Sequence, residues 1–575
     1  MIDKTLPCWD LSPVFSSPDG DDFRQALSSV SDLCSSLSSR LSKGCSIASV
    51  LDDYNRLLAT YETLGAYSSC LLTTDTTCEA YVKAVTDVES HSVAMAQVEN
   101  LFLQNLVAHE DEIHGEGLRA YSYVLGHMLE DARHRMSLAE ETLAADLARS
   151  GSSAFERLFD TMTSSIADEG RTLTQLRGDA TSPDREVRKS SYEREKRILA
   201  QNREPIAACL NAIKGTCLTL EGRQGWTGPL EHSIFTSRIS MESLEALIVT
   251  LENNLGMFRR YFRTKARLLG LDELAWYDIS APVNVPGVQP RQYSFADARD
   301  LVVRSFSSFS PQMGVFADRA FEDHWIDAQP HSGKVGGAYD IAFPLVGQSR
   351  VLTNFTFDYS SVSTLAHELG HAYHDSQVMA LPSLLYSYPM TLAETASIFS
   401  EQILFREVLK TCSEAESIPI IESFVADAAQ VCVDILSRYY FETSLFERRK
   451  EGEVGAEGMC ALMADAQNRS YGDAVVDKHE YMWAVKGHYY SVDFSFYNYP
   501  YAFGQLFALG LFARSSGDAG FADSYRKLLS LTGSMSAEEV ASSAGIDIKK
   551  TSFWQEGMDV IGGYIKRLAD FADKM

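Results

Sequence analysis

The run Thr364-Leu365-Ala366-His367-Glu368-Leu369-Gly370-His371-Ala372-Tyr373-His374 decides how the chain is read. Leu365, Leu369 and Ala372 recur at helical spacing, with Val362 and Tyr373 beside them, so an amphipathic helix is expected here. Ser360 or Ser361 is the expected N-cap. Four residues make about one turn, so His367 and His371 leave one face and can grip one tetrahedral Zn2+. Glu368 then stands beside the metal, placed to take a proton from the water that the metal activates.

A catalytic zinc site needs a third protein ligand and one open position. His374 shares the stripe but lies seven residues beyond His367, about 10 Å along the axis, so it reads as a packing or supporting histidine. Asp375 has the same problem with a shorter side chain. The elongated three-histidine motif is excluded, because it needs glycine at 374 and histidine at 377, where this chain has His374 and Gln377. No acid occurs from 376 to 393, so the first available carboxylate is Glu394, after Pro389. Glu394 also has a structural explanation, since Thr391-x-x-Glu394 at the start of an apolar run is a capping-box signature.

Working outward, Arg350 to Tyr359 alternates, with Val351, Thr353, Phe355, Phe357 and Tyr359 on one side and Leu352, Asn354, Thr356 and Asp358 on the other. That predicts a strand over 350–359, fed by turns at Gly333, Gly336 and Gly337. Elsewhere the periodicity is helical: from Asp21 to about Ala200, from Ser240 to Leu269 with a stop at Gly270, and from Ser361 towards Lys574. The expected fold class is mainly α, with a small β-sheet next to the active-site helix. The turn-like Thr181-Ser182-Pro183-Asp184 suggests a boundary, giving an N-terminal helical lobe at 1–190 and a catalytic domain at 191–575.

The 575 residues suffice for a deep core, and 45% hydrophobic with 22% charged residues is a globular composition. Seventy-eight acidic against 51 basic residues give a formal charge of −27, which repels nucleic acid. The nearest basic cluster, Arg259, Arg260, Arg263, Lys265 and Arg267, reads as a solvated helix face. Ten cysteines without a CxxC pair fit reduced thiols. Met1 to Asp10 lacks a signal-type apolar core, and Tyr501 to Ala513 is too short to span a bilayer. A cytoplasmic protein without membrane or nucleic-acid partners is expected; oligomeric state is not read from these features.

Near the C-terminal end, His488-Tyr489-Tyr490 is followed by Tyr497, Tyr499 and Tyr501. Tyrosine hydroxyls or a histidine can stabilise the oxyanion that develops on a carbonyl under attack. The same pattern also suits an aromatic core stripe.

Taken together, the chain resembles the oligoendopeptidase F family, relatives of thimet oligopeptidase. The resemblance rests on Leu6-Pro7-Cys8-Trp9-Asp10-Leu11, Trp276-Tyr277-Asp278-Ile279-Ser280-Ala281-Pro282 and Trp325-Ile326-Asp327-Ala328, then Gly333-Lys334-Val335-Gly336-Gly337-Ala338-Tyr339, the histidine segment and Ala393-Glu394-Thr395-Ala396-Ser397. It implies a helical, zincin-type molecule with a deep substrate channel and one zinc per chain. His367, His371 and Glu394 would be ligands, Glu368 the general base, and short peptides the substrates, cut internally. It further implies that His488 and Tyr497 or Tyr501 act on the carbonyl, with Tyr499 near the substrate. One residue more than usual separates this His from the tyrosines, which leaves the acting tyrosine open. A peptide would lie along the strand Leu352 to Asp358, with Leu352 and Asn354 as binding residues. The rival readings are a zinc carboxypeptidase of related helical fold and an inactive peptide-binding protein.

Overall fold

The structure is a computed structural model that describes residues 6–515 and 520–575. Apart from three short strands around residues 326–352 and a two-residue hairpin, its regular elements are helices, so the mainly α expectation holds. The chain divides into two compact units, each discontinuous in sequence.

The first unit comprises Met1–Arg133, Pro290–Thr411 and Arg514–Ile546. Its N-terminal helices, Asp21–Leu41 and Ile47–Thr74, bury Phe23, Leu37, Leu57 and Tyr67. Tyr54 stacks on Phe102 at 4.2 Å. Phe343, from the strand Tyr339–Phe343, is part of this core, so the helices rest directly on the sheet. Three strands make that sheet. Gln348–Leu352 is central, parallel to Ile326–Asp327 and antiparallel to Tyr339–Phe343, with Asp340 opposite Val351.

The strand expected over 350–359 therefore ends early. Ladder pairing stops at Leu352, Phe357 turns into the left-handed region at φ +66°, and Tyr359 already belongs to a helix. The partner strand has only five residues, and the side-chain alternation continues past the point where pairing ends. The helix Tyr359–Val378 carries the histidine motif. Its N-cap is Asp358 rather than Ser360 or Ser361; the Asp358 carboxylate accepts from Ser361 N at 2.8 Å. One face buries Val362, Leu365, Leu369 and Ala372 against the helix Thr395–Leu409. Gly370 makes that approach possible, because a Cβ there would sit 2.7 Å from both the Ala396 carbonyl oxygen and Ser397 Cα.

The second unit comprises His134–Gln289, Cys412–Ala513 and Asp547–Met575. Its longest helix, Arg185–Gln224, starts at an Asp184 cap and ends at Gly225 in the left-handed region. Residue 190 lies inside that helix, so the chain does not divide at the expected 190/191 point; contacts instead gather 1–133 with 290–411. The helix Met241–Leu268, capped by Ser240 and followed by Gly270 at φ +70°, matches the sequence expectation. The Trp276–Pro282 motif serves structure here: buried Asp278 accepts from Arg185 at 2.9 Å and Arg188 at 2.8 Å. No disulfide joins any of the ten cysteines. No helix among the described residues is long and apolar enough to cross a membrane.

Candidate metal centre and active site

The motif helix places His367 and His371 one turn apart, with their Nε2 atoms 3.2 Å from each other. Glu394 Oε2 lies 3.4 Å from each of those nitrogens. A tetrahedron with ligand bonds of about 2.0–2.1 Å has edges of about 3.3–3.4 Å, so the three atoms already occupy its corners. The side chains of His367, His371 and Glu394 keep 25%, 19% and 26% of their surface exposed, enough for a fourth position to be reached from outside.

Glu394 reaches this point through a break between two helices. The short helix Met390–Ala393 ends, and Glu394 takes φ −82°, ψ 6° before Thr395–Leu409 begins. The capping box expected from Thr391 and Glu394 does not form: Thr391 is buried within the short helix, and Glu394 itself stands at the N-cap position without a side-chain cap bond. Its Oε2 instead accepts from Ser397 Oγ at 2.7 Å and faces the histidines. Burial alone would raise this carboxyl, but the hydrogen bond and charge of His371, with His367 and Ser397, hold it down to about 2.

Glu401 is the functional residue that the sequence reading missed. It stands seven residues, two helical turns, after Glu394, and that spacing was the available signal. Its carboxylate accepts from His367 Nδ1, which fixes the tautomer that leaves the Nε2 lone pair free for a metal. Burial would lower the His367 pKa, yet Glu401, Glu394 and Glu368 together lift it to about 9. Glu368 is 7% exposed, and burial first, then the other carboxylates, pushes it above the usual range against the pull of both histidines. A carboxylate made more basic in this way suits a proton acceptor at neutral pH.

His374 is fully buried, stacks on Tyr388 at 4.2 Å and shares a 2.7 Å hydrogen bond between its Nε2 and Thr532 Oγ1. Burial and the nearby His371 push its pKa down to about 3, so it is a neutral packing histidine, as its spacing implied.

The expected peptide-binding edge needs correction. Leu352 lies on the central strand, paired to Asp327 on one side and Tyr339 on the other, and offers no free edge. Thr353 and Phe355 donate onward to Asp327 and Ala328, and the Asn354 amide donates to Val335 and Gly337 carbonyls at 3.0 Å. The sheet margins are Ile326–Asp327 and Tyr339–Phe343.

His488, Tyr497, Tyr499 and Tyr501 all belong to the second unit. His488 is half-buried, 4.6 Å from the Tyr497 ring, which lies 5.9 Å from Tyr501. Burial first lowers the His488 pKa and keeps the ring neutral. Tyr499 is different. It is 1% exposed, and its hydroxyl is engaged with Ser233 and with Ser237 Oγ at 3.0 Å, so it is a core residue rather than a substrate contact.

The sequence pattern of Peptidase family M3 matches residues 180–560. The chain belongs to this family. A second pattern, Oligopeptidase F, matches residues 110–167. Group B oligopeptidase PepB of Streptococcus agalactiae is 23% identical over 92% of this chain and 88% of its own length. The plasmid-encoded oligoendopeptidase F of Lactococcus lactis is 24% identical over 80% and 78%. Among solved structures, one from Chlamydophila abortus superposes with a TM-score of 0.85 at 21% identity over 98% of each chain. Oligoendopeptidase F from Enterococcus faecium gives 0.68 at 16% over 96% and 98%. The M3 chain thus has the mainly α fold of the oligoendopeptidase F peptidases and is itself a peptidase.

Proposed function

We propose that this M3 peptidase is a zinc metalloendopeptidase that hydrolyses internal bonds of short peptides. The observation that carries the reading is the convergence of His367, His371 and Glu394 on tetrahedral corners beside the buried carboxylate of Glu368. These three residues would hold one Zn2+, which when bound supplies a Lewis acid for the scissile carbonyl and acidifies water. Glu401 holds His367 in the ligating tautomer. Glu368 accepts the proton of the attacking water and passes it to the leaving amine. The oxyanion role falls to His488 with Tyr497 or Tyr501, whose rings group together and whose surroundings, unlike those of Tyr499, leave them partly exposed. The sparse cysteines, none in a CxxC pair, suit a reducing compartment, the cytoplasm.

Metal content and cleavage of an internally quenched peptide, measured together, test the reading. Wild type should hold one zinc and cut internally, with mass spectrometry of the products showing two fragments rather than loss of single C-terminal residues. Glu394→Ala should lose both zinc and cleavage. Retention of both in that variant would remove Glu394 from the ligand set. Stepwise C-terminal trimming would make the protein a carboxypeptidase, and zinc without cleavage would make it a binding protein.

A further inference from the structure

Glu394 sits at a break between helices, so something other than helical geometry must fix its position. The segment that delivers it, 379–393, contains only the short turns Ser383–Leu385 and Met390–Ala393. Tyr388 ties this segment to the motif helix twice. Its hydroxyl donates to Asp375 Oδ1 at 2.7 Å, and its ring lies parallel to that of His374, 7° apart. Asp375 is one turn beyond His371 on the same helix.

A third element joins from the sheet. Asp340, on the strand Tyr339–Phe343, sets its carboxyl against that of Asp375. Both Asp340 oxygens are shielded from solvent, the Ile341 backbone N–H is the donor beside them, and neither aspartate makes an ion pair among the described residues. Two carboxylates in such contact cannot both be ionised, so one proton must bridge them. Burial, Asp375 and Glu368 all act in that direction on Asp340. The result is a continuous connection: the Asp340 acid donates to Asp375, Asp375 accepts from Tyr388, and Tyr388, six residues before Glu394, packs on His374. It links the sheet, the helix that carries both histidines and the segment that carries the third ligand.

We propose that Tyr388 and the Asp340–Asp375 carboxyl pair are positioning residues that hold Glu394 in register with His367 and His371. The inference rests on the zinc reading above. Outer residues that orient ligands are worth about 10–100-fold in metal affinity, which sets the size of the expected effect.

The test is the zinc dissociation constant of the full chain, by competition with a chromophoric chelator, alongside the melting temperature of the metal-free protein. Tyr388→Phe keeps the ring stack and removes only the hydroxyl; it should weaken zinc about tenfold. Asp340→Ala should do likewise, whereas Asp340→Asn, whose amide can donate to Asp375 as the acid does, should stay within about threefold of wild type. That rescue, with metal-free melting nearly unchanged in Tyr388→Phe, is what a merely structural role would not produce. Zinc affinity at the wild-type value in both Tyr388→Phe and Asp340→Ala would overturn the inference while leaving the zinc site intact. Loss of affinity in Asp340→Asn equal to that in Asp340→Ala would overturn the bridging proton. A wild type that binds no zinc would remove the underlying reading, and the inference with it.

Discussion

Buried charge around the motif helix is handled differently from that in the second unit, although the first unit also holds a buried pair, Lys334 with Asp327 at 2.6 Å. In the second, deeply buried ions are paired with their opposites: Lys214 faces Glu442 at 3.0 Å, Lys265 faces Glu422 at 2.6 Å, and the Arg438 fork grips Asp434. Around the motif helix of the first unit, Glu368, Glu394 and Glu401 surround His367 and His371, and no lysine or arginine pairs with any of the three among the described residues. Enclosing unneutralised charge costs several kcal/mol per ion unless a counter-charge is supplied. The second unit supplies it from its own side chains. Around the motif helix of the first unit the three carboxylates have only the two histidines as basic partners among the described residues, a donor set that suits a cation.

The largest effect should come from Glu368, the member of that group proposed as the proton acceptor rather than a ligand. Glu368→Gln is expected to keep zinc and lose about 10²–10⁴-fold in kcat, read by metal analysis and peptide turnover. The contrast between units adds a second readout. Because the Glu368 carboxyl is held above its ordinary value, it binds a proton more tightly folded than unfolded, and its contribution to stability falls as pH rises. The metal-free Gln variant should therefore melt at or above wild type at pH 8. A marked drop would show that Glu368 is neutralised within the protein, as Asp434 is, and would break the comparison.

Breaking a balanced pair should do the reverse. Asp434→Asn leaves Arg438 buried without its charge partner and should destabilise the chain by about 3–5 kcal/mol in urea unfolding. Zinc affinity should not change. Glu401→Gln lies between the two cases: it should weaken zinc about 10–100-fold, since the amide no longer enforces the ligating tautomer of His367, while global stability stays close to wild type.

How far this was legible from the sequence depends on whether a feature is local. The motif helix, its two histidines and the Ser240–Gly270 helix follow from spacing and caps within one segment. The strand was overread because Phe355 and Phe357 continue the alternation after the pairing partner has ended, and only the positive φ of Phe357 stops it. Tyr499 and Tyr501 look alike in sequence, and Ser233, more than 260 residues away, separates them. Glu401 was within reach, two turns after Glu394 on one helix. The Asp340–Asp375 contact was not, since it needs a strand and a helix brought together by the fold.

The smallest effect, and the most direct probe of charge balance, lies on the acid limb of the second unit. Burial alone would raise Asp434, but the charges of Arg438 and Lys486 and the hydrogen bonds from Arg438 and Gln430 hold it down to about 2. A carboxyl with a depressed folded pKa stabilises the protein above its ordinary value near 4, and that contribution is lost as pH falls towards 2. That depression corresponds to about 2–3 kcal/mol, of which about 1 kcal/mol is already lost at pH 3. Wild type should therefore lose about 1 kcal/mol of its advantage over Asp434→Asn between pH 7 and pH 3, in urea midpoints measured on both proteins. An advantage that stays constant over that range would mean Arg438 does not set the Asp434 charge. The second unit would then hold its buried acids by burial and hydrogen bonding alone, and the difference between the two units would rest on the metal centre only.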